Sequence, residues 1–346
     1  MLSNCKNCGG QLVFSPKDKG NICENCSSVF NVDYKHNFFK KPFAENKELK
    51  VDPLAKELKS IKCKNCGASI IMSKLQMQAE CPYCGNTSLD SENISKLMYI
   101  DSIIPFSFGK AEALSKFKTD VKKRFFADKK IFKDVLIDDV NGMYVNAFVF
   151  DMFANAIYKG VFSSRVKVKD EKGFESYQTI KKSVNGLFEK DFNNIIVEAN
   201  SHITQYDLET IMPFEYTSAV EFKDDFINGY MLEYKDTMFN TCVEKAENII
   251  KKAIEKELLK RHNCEQIESL DLKLNFENQV YNYCLIPVYF VTKTRTKDNK
   301  KFTAIINGQT GKVGRLPANK KRVFFITMAI LAVIFGIILS IIYFAM

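Results

Sequence analysis

Hydrophobic positions along the chain change their spacing several times, and each spacing predicts a different element. Between residues 110 and 126, Ala111, Ala113, Leu114, Phe117, Val121 and Phe125 recur at helical intervals and predict an amphipathic helix. A second helix is predicted over 237–261, where Val243, Ala246, Ile249, Ile250, Ile254 and Leu258 form one stripe and charged residues fill the rest. Asn141-Gly142 reads as a turn before a long aromatic-rich strand region, Met143 to Phe162. Val280 to Thr294 alternates, Lys297-Asp298-Asn299-Lys300 turns the chain, Lys301 to Ile306 returns, and Asn307-Gly308 turns it again. Strands, a helix and more strands without regular βα alternation predict one α+β domain over 99–316.

The last pattern has no period. Val323 to Met346 carries no charge, and about twenty apolar residues are enough to cross a bilayer. Lys320-Lys321-Arg322 precedes it, and positive flanks stay on the cytoplasmic side. This predicts a single C-terminal transmembrane helix over 323–346, contacting membrane lipid, with a cytoplasmic N-terminal body.

The N-terminal hundred residues are organised by cysteine. Cys5-x-x-Cys8 and Cys23-x-x-Cys26 are separated by fourteen residues, and Cys63-x-x-Cys66 and Cys81-x-x-Cys84 repeat that spacing. Cys5-Lys6-Asn7-Cys8-Gly9 even returns as Cys63-Lys64-Asn65-Cys66-Gly67. Two thiols on a tight turn hold one edge of a tetrahedron, and a second pair across a hairpin completes it. Soft thiolates select zinc or iron over hard cations, and the spacing leaves both open. A disulfide framework is the competing reading. No apolar stretch precedes Cys5, so no secretory signal is expected, and the chain is long enough to fold around ordinary cores. Glycine follows the second thiol at Gly9, Gly67 and Gly85; Ser27 takes that place in the remaining knuckle, in the first ribbon. The expectation is two structural Zn2+ sites, Cys5, Cys8, Cys23 and Cys26 in one ribbon (1–30) and Cys63, Cys66, Cys81 and Cys84 in a second (61–90). Residues 31–60, rich in Lys and Glu, read as a connector, with a short helix over Pro53–Ser60.

Charge bears on partners. The formal net charge is +9. Four thiolates around a divalent ion leave −2 per site, so two sites lower the total to roughly +5. Residues 1–98 hold fourteen lysines and no arginine against ten acids, which the two centres bring close to neutral. Nucleic-acid binders concentrate basic residues on one face. The basic, aromatic run His36-Asn37-Phe38-Phe39-Lys40-Lys41 has the composition to stack on a single strand, but the favoured reading packs its aromatics on a ribbon or on the next domain.

Candidate catalysis is sparse. Asn307-Gly308-Gln309-Thr310-Gly311-Lys312-Val313 resembles a phosphate loop, but Ile306 stands where the first glycine belongs and Val313 where Ser or Thr belongs. His36, His202 and His262 lie in no ligand motif. Cys242 and Cys284 read as buried inert thiols, and Cys264 beside His262 is a weak nucleophile signal. No catalytic residue and no cofactor-binding residue is assigned, and the chain is expected not to be an enzyme.

The double ribbon, Ile104-Pro105-Phe106, Gly142-Met143-Tyr144-Val145, Leu285-Ile286-Pro287-Val288 and Asn307-Gly308-Gln309-Thr310-Gly311-Lys312 together resemble bacterial membrane-anchored proteins with zinc ribbons of the transcription-factor-IIB type, often labelled primosomal-helicase-like. The resemblance implies an architecture without an assigned reaction. That family often has tryptophan in its core strands; this chain has none, and Tyr289 or Phe290 takes the aromatic role. The reading that results is a membrane-tethered adaptor presenting two ribbons to a protein partner. The alternative is a membrane-held nucleic-acid-binding module.

Overall fold

The structure is a computed structural model that describes residues 4–36, 39–45, 58–73, 80–93, 99–169, 175–233, 235, 237–295, 298, 300–318 and 327–337. In chain order the strands are β1 (Leu12–Ser15), β2 (Gly20–Cys23), β3 (Val29–Asn31), β4 (Lys41–Pro42), β5 (Leu58–Cys63), β6 (Ser69–Ser73), β7 (Leu89–Asn93), β8 (Ser102–Ile103), β9 (Val140–Lys169), β10 (Glu175–Glu198), β11 (Val220–Glu221), β12 (Met231–Glu233), β13 (Gln266–Arg295), β14 (Lys300–Asn307) and β15 (Val313–Gly314). The helices are α1 (Lys110–Lys123), α2 (Gln205–Ile211), α3 (Phe239–His262) and a segment at 327–337.

β9 and β13, each 30 residues long, run antiparallel along nearly their whole length and form the spine. Their central segments read as continuous apolar runs because both faces are covered. Along β9, Tyr144, Phe148 and Phe150 enter one core, while Met143, Val145, Ala147 and Val149 enter another. β13 divides the same way: Tyr283, Leu285, Tyr289 and Val291 face the first, Cys284, Ile286, Val288 and Phe290 the second. The first core is closed by α1 through Ala113, Phe117 and Val121 and by α3 through Ala246, Ile250, Ile254 and Leu258. The second is closed by Leu208 and Ile211 of α2 and by the second cysteine ribbon.

That ribbon is part of the main sheet. β12 pairs in parallel with β9 (Leu232 opposite Tyr144) and antiparallel with β6 (Leu232 opposite Ile71). β6 then pairs with β5, and β5 with β7. Alternation carries through the join, so Leu58 and Ile71 feed the first core and Ile61, Ile70 and Met72 the second. The first ribbon keeps a separate three-stranded sheet, β1-β2-β3. It docks through Phe14, whose ring meets Phe226 at 5.3 Å and whose amide donates to the Asn228 carbonyl at 2.9 Å. Asn21 adds a hydrogen bond to Asp225 at 3.0 Å.

The motif residues behind the family resemblance converge. Phe106 stacks on Tyr230 at 4.3 Å and meets Tyr289 at 4.6 Å and Tyr144 at 4.9 Å. The Tyr289 hydroxyl donates to the Phe108 carbonyl at 2.6 Å, which gives this tyrosine its buried polar partner. Gly308 lies against this nest: a Cβ there would stand 2.5 Å from the Phe106 ring and 2.8 Å from Pro287. Its neighbour Asn307 accepts the amides of Gln309 and Thr310 on its side-chain oxygen, at 2.8 and 2.9 Å, and donates to the Ile211 and Pro213 carbonyls, both at 2.9 Å. The turn joins β14 to β15 as hairpin chemistry, with its amides already engaged.

Two parts of the expected fold class are corrected. The body is mostly β rather than α+β, because β10 and the first half of β13, 266–279, continue as strand beyond the predicted meander. Many of their outward positions are polar and exposed, which weakens the apolar signal. The C-terminal span and the single-pass membrane location are also withdrawn: among the described residues no helix is long and apolar enough to cross a membrane. Within 323–346 the described part is the helix at 327–337; the remainder lies outside the described residues. Leu58 to Ser60, expected at the end of a short helix, are strand β5, while 53–57 lie outside the described residues. Phe125 is 60% exposed, since α1 ends at Lys123 before the predicted stripe does.

Gly308→Ala is expected to lower stability by about 1–3 kcal/mol through overpacking of the Phe106 nest, read as a lower midpoint in denaturant unfolding with unchanged metal content.

Candidate metal centres

Each Cys-x-x-Cys sits on the same backbone knuckle, built four times. The amide of the first cysteine donates to the carbonyl five residues on, Cys5 to Gly10 at 2.8 Å, Cys23 to Ser28, Cys63 to Ala68 and Cys81 to Asn86 at 2.9 Å. The amide four residues on returns to the cysteine carbonyl, from Gly9 at 2.8 Å, Ser27 and Gly67 at 2.9 Å and Gly85 at 2.6 Å. Closing that loop demands a left-handed residue, and φ is +73° at Gly9, +76° at Gly67, +66° at Gly85 and +59° at Ser27. Ser27 therefore adopts the conformation that glycine takes elsewhere. Gly85 is constrained twice, since a Cβ there would also stand 2.8 Å from Lys301 and from Thr292.

The knuckles bring together all eight predicted ligands in two sets of four. Within each set the sulfurs lie within 4.8 Å of one another. Cys5 and Cys26 are 3.5 Å apart, Cys8 and Cys23 3.4 Å, Cys63 and Cys84 3.6 Å, Cys66 and Cys81 3.7 Å. Zinc–thiolate bonds of about 2.3 Å in a tetrahedron give an edge of about 3.8 Å. A disulfide needs about 2.05 Å, and all eleven cysteines are free thiols. The donor set and spacing thus fit a tetrahedral metal ion, with four protein thiolates filling its coordination shell.

Polar groups around the sulfurs repeat as well. Asn65 donates to the Cys84 sulfur at 3.6 Å. Its counterpart Asn7 donates to the Ser28 hydroxyl at 2.8 Å, and that hydroxyl lies 3.2 Å from the Cys26 sulfur. The Ser28 hydroxyl and amide together hold the Cys26 thiol down at about 6. Burial pushes Cys84 up, but Asn65 and the Asn86 amide outweigh it and leave it lowered.

The two centres differ in what surrounds them. In the first, Cys8 and Cys26 are exposed. In the second, the knuckle Cys81-Pro82-Tyr83-Cys84 is clasped by the sheet: Thr292 donates to the Pro82 carbonyl at 3.0 Å and Thr303 to the Tyr83 carbonyl at 2.8 Å. The Tyr83 ring meets Phe290 at 5.2 Å and His202 at 5.1 Å, and His202 donates to the Cys66 carbonyl at 3.1 Å. A cleft of about 520 Å³ beside Cys84 is lined by Asn65, Tyr83, Asn86, Lys301, Thr303 and Arg315. Lys301 and Arg315 place positive charge beside a thiolate cluster that carries −2 when a divalent ion is bound.

Sequence reading found the ligands and missed these supports. Thr292, Thr303 and His202 are more than a hundred residues from the knuckles they hold, and nothing local marks them. The other histidines have plain roles: His36 donates to the Ala219 carbonyl at 3.0 Å, and His262 lies 2.9 Å from the Tyr158 hydroxyl. The Cys264 thiol points to the His262 carbonyl at 3.5 Å rather than to its ring. Cys242 and Cys284 are buried, as expected.

The chain is similar to the "Uncharacterized protein YdjG" of Bacillus subtilis (strain 168), with 24% identity over 326 residues, covering 92% of this chain and 91% of that protein. No family model matches the chain. No solved structure matches it.

Two outcomes are expected. Ser27→Gly should relieve a left-handed serine, worth about 1 kcal/mol, and slow chelator-driven metal release from the first centre about fivefold. In the unaltered chain, a chelator should empty the first centre before the second. Release in the reverse order would contradict the difference in enclosure.

Proposed function

We propose that this chain is a non-enzymatic two-zinc protein that presents ribbon surfaces to a protein partner. The observation that carries this reading is the pair of four-cysteine cages, each with all sulfurs within 4.8 Å and two of its edges at 3.4–3.7 Å. Zinc is the ion for which a closed tetrahedral thiolate shell is the usual structural state, and a closed shell leaves no position for water or substrate. The ions act as parts of the fold. The resemblance to transcription-factor-IIB-type ribbon proteins supports the same assignment.

The choice of protein over nucleic acid rests on where the lysines go. Lys40 pairs with Asp151 at 2.5 Å and donates to Asn194 at 2.7 Å, and Lys41 pairs with Asp101. The basic, aromatic run that best suited a single strand thus spends its two lysines on internal carboxylates. The first ribbon is docked on one side through Phe14 and keeps the Cys8 and Cys26 knuckles outward, a small rigid β surface of the kind that partners dock on.

Metal analysis of the purified full chain should return two zinc ions per chain. Cys63→Ser with Cys66→Ser should remove one of them and, because β5 and β6 belong to the main sheet, lower the cooperative unfolding midpoint of the whole body. A full zinc count in that variant would overturn the assignment. Submicromolar binding of a DNA or RNA oligonucleotide with steep salt dependence would overturn the preference for a protein partner.

A further inference from the structure

Tyr83 lies between two metal ligands, yet its hydroxyl is spent far from them. It donates to Oε1 of Glu233, a side chain only 2% exposed at the end of β12. The other carboxylate oxygen accepts the Asn146 amide of β9 at 3.1 Å, and the Asn146 side chain donates to the Glu233 carbonyl at 2.7 Å. Tyr283 of β13 in turn donates to the Asn146 side-chain oxygen. A chain of hydrogen bonds therefore runs from the second knuckle through β12 into both spine strands.

We propose that Glu233 is a positioning residue that latches the second metal centre to the sheet, so that metal retention there and closure of β12 are one linked event. The inference rests on the reading of the cysteines as metal ligands. β12 is three residues long and bridges β9 to β6, so it has little pairing of its own to hold it. Its Glu233 is buried, and a buried carboxylate that loses a hydrogen-bond donor is costly. When the knuckle is shaped by metal, Tyr83 is held over Phe290 with its hydroxyl on Glu233. When metal leaves, the knuckle loses the bonds that fix it, Tyr83 loses its position, and Glu233 loses that donor inside the core. Linkage makes the effect reciprocal: whatever weakens the hold on Tyr83 weakens the hold on metal at this centre. Among the described residues the first centre has no such hydrogen-bond chain: its knuckles hydrogen-bond within the ribbon, its docking runs through Phe14, Asn21 and their partners, and Glu24 meets the body as a charge near Lys110.

The test uses the full chain loaded with cadmium-113, which gives one resonance per four-cysteine site. The site-one resonance is assigned by its absence in Cys5→Ser. Under excess EDTA, Glu233→Gln and Tyr83→Phe should each speed decay of the site-two resonance about tenfold and leave site one unchanged. Ile250→Val, which opens a small cavity under α3, serves as a control for general destabilisation and should leave both decay rates unchanged. Unaltered site-two decay in both latch variants overturns the proposal. So does equal acceleration of both sites, or the same acceleration in Ile250→Val, because then Glu233 acts only through overall stability. If the chain takes up fewer than two cadmium ions, the metal reading itself fails, which is a separate result.

Discussion

The pairing of β12 with β9 on one side and β6 on the other is the constraint on which the rest of this structure depends. Three residues, Met231 to Glu233, carry the sheet from its spine into the second cysteine ribbon. A strand this short supplies few hydrogen bonds, so its position has to be fixed by what it buries. Leu232 enters the first core, Met231 the second, and the Glu233 carboxylate takes donors from Tyr83 and Asn146. Without that join the spine would end at an open edge beside Met143 and Tyr144, and the second core would lose Ile61, Ile70, Met72 and Tyr83. The ribbon would lose the surface that clasps its second knuckle.

Two sites with the same ligands and the same spacing have therefore been put to different structural use. A ribbon of about twenty-five residues has almost no core of its own, and metal binding supplies most of its folding free energy. The first ribbon has such a small core: its own cluster is Cys5, Leu12 and Cys23 with Phe30 against it, and Phe14 on Phe226 and Asn21 on Asp225 tie it to the body. In the second ribbon a metal ion would be held on a knuckle whose backbone carbonyls and tyrosine are already spoken for by Thr292, Thr303, Glu233 and Phe290. The glycine requirement shows the same divergence. Gly9 and Gly67 face open space and answer only to φ, whereas Gly85 answers to φ and to Lys301 and Thr292 pressed against it.

What the sequence made legible follows from how local each signal is. The knuckles are local: ligand, turn and left-handed residue fall within six positions, so all eight ligands could be named. The helices α1 and α3 are nearly local, since a one-sided apolar stripe is enough to place them, and Ala113, Phe117, Val121, Ile250 and Leu258 are buried as their spacing required. The long strands were legible only where both faces are apolar. β10 went unread because along most of its length its odd positions, such as Lys181, Asn185 and Glu189, face water, and among the described residues β9 is the strand it pairs with. The charge-free stretch at the C-terminus was read by length and hydropathy alone, and the described helix at 327–337 does not reach the length that reading required. His202, Thr292, Thr303 and Glu233 were beyond any local signal, since each matters only through a contact that the topology creates.

The arrangement of charge argues in the same direction as the topology. A divalent ion with four thiolates leaves a compact anion, and burying part of that anion against a sheet costs free energy unless cations or hydrogen-bond donors stand near it. At the second centre the sheet supplies them: Asn65 donates to sulfur, and Lys301 and Arg315 line the adjoining cleft. At the first centre the ribbon supplies its own groups: the Asn25 side chain donates to the Cys8 sulfur, and the Ser28 hydroxyl, held by Asn7, lies 3.2 Å from the Cys26 sulfur, while Cys8 and Cys26 are exposed to water. An exposed centre can keep its charge without help from the body, and so its ribbon can stay a separate sheet. An enclosed centre would need the body's cations and donors in place to hold a metal ion, and the ribbon that carries it is continuous with the main sheet.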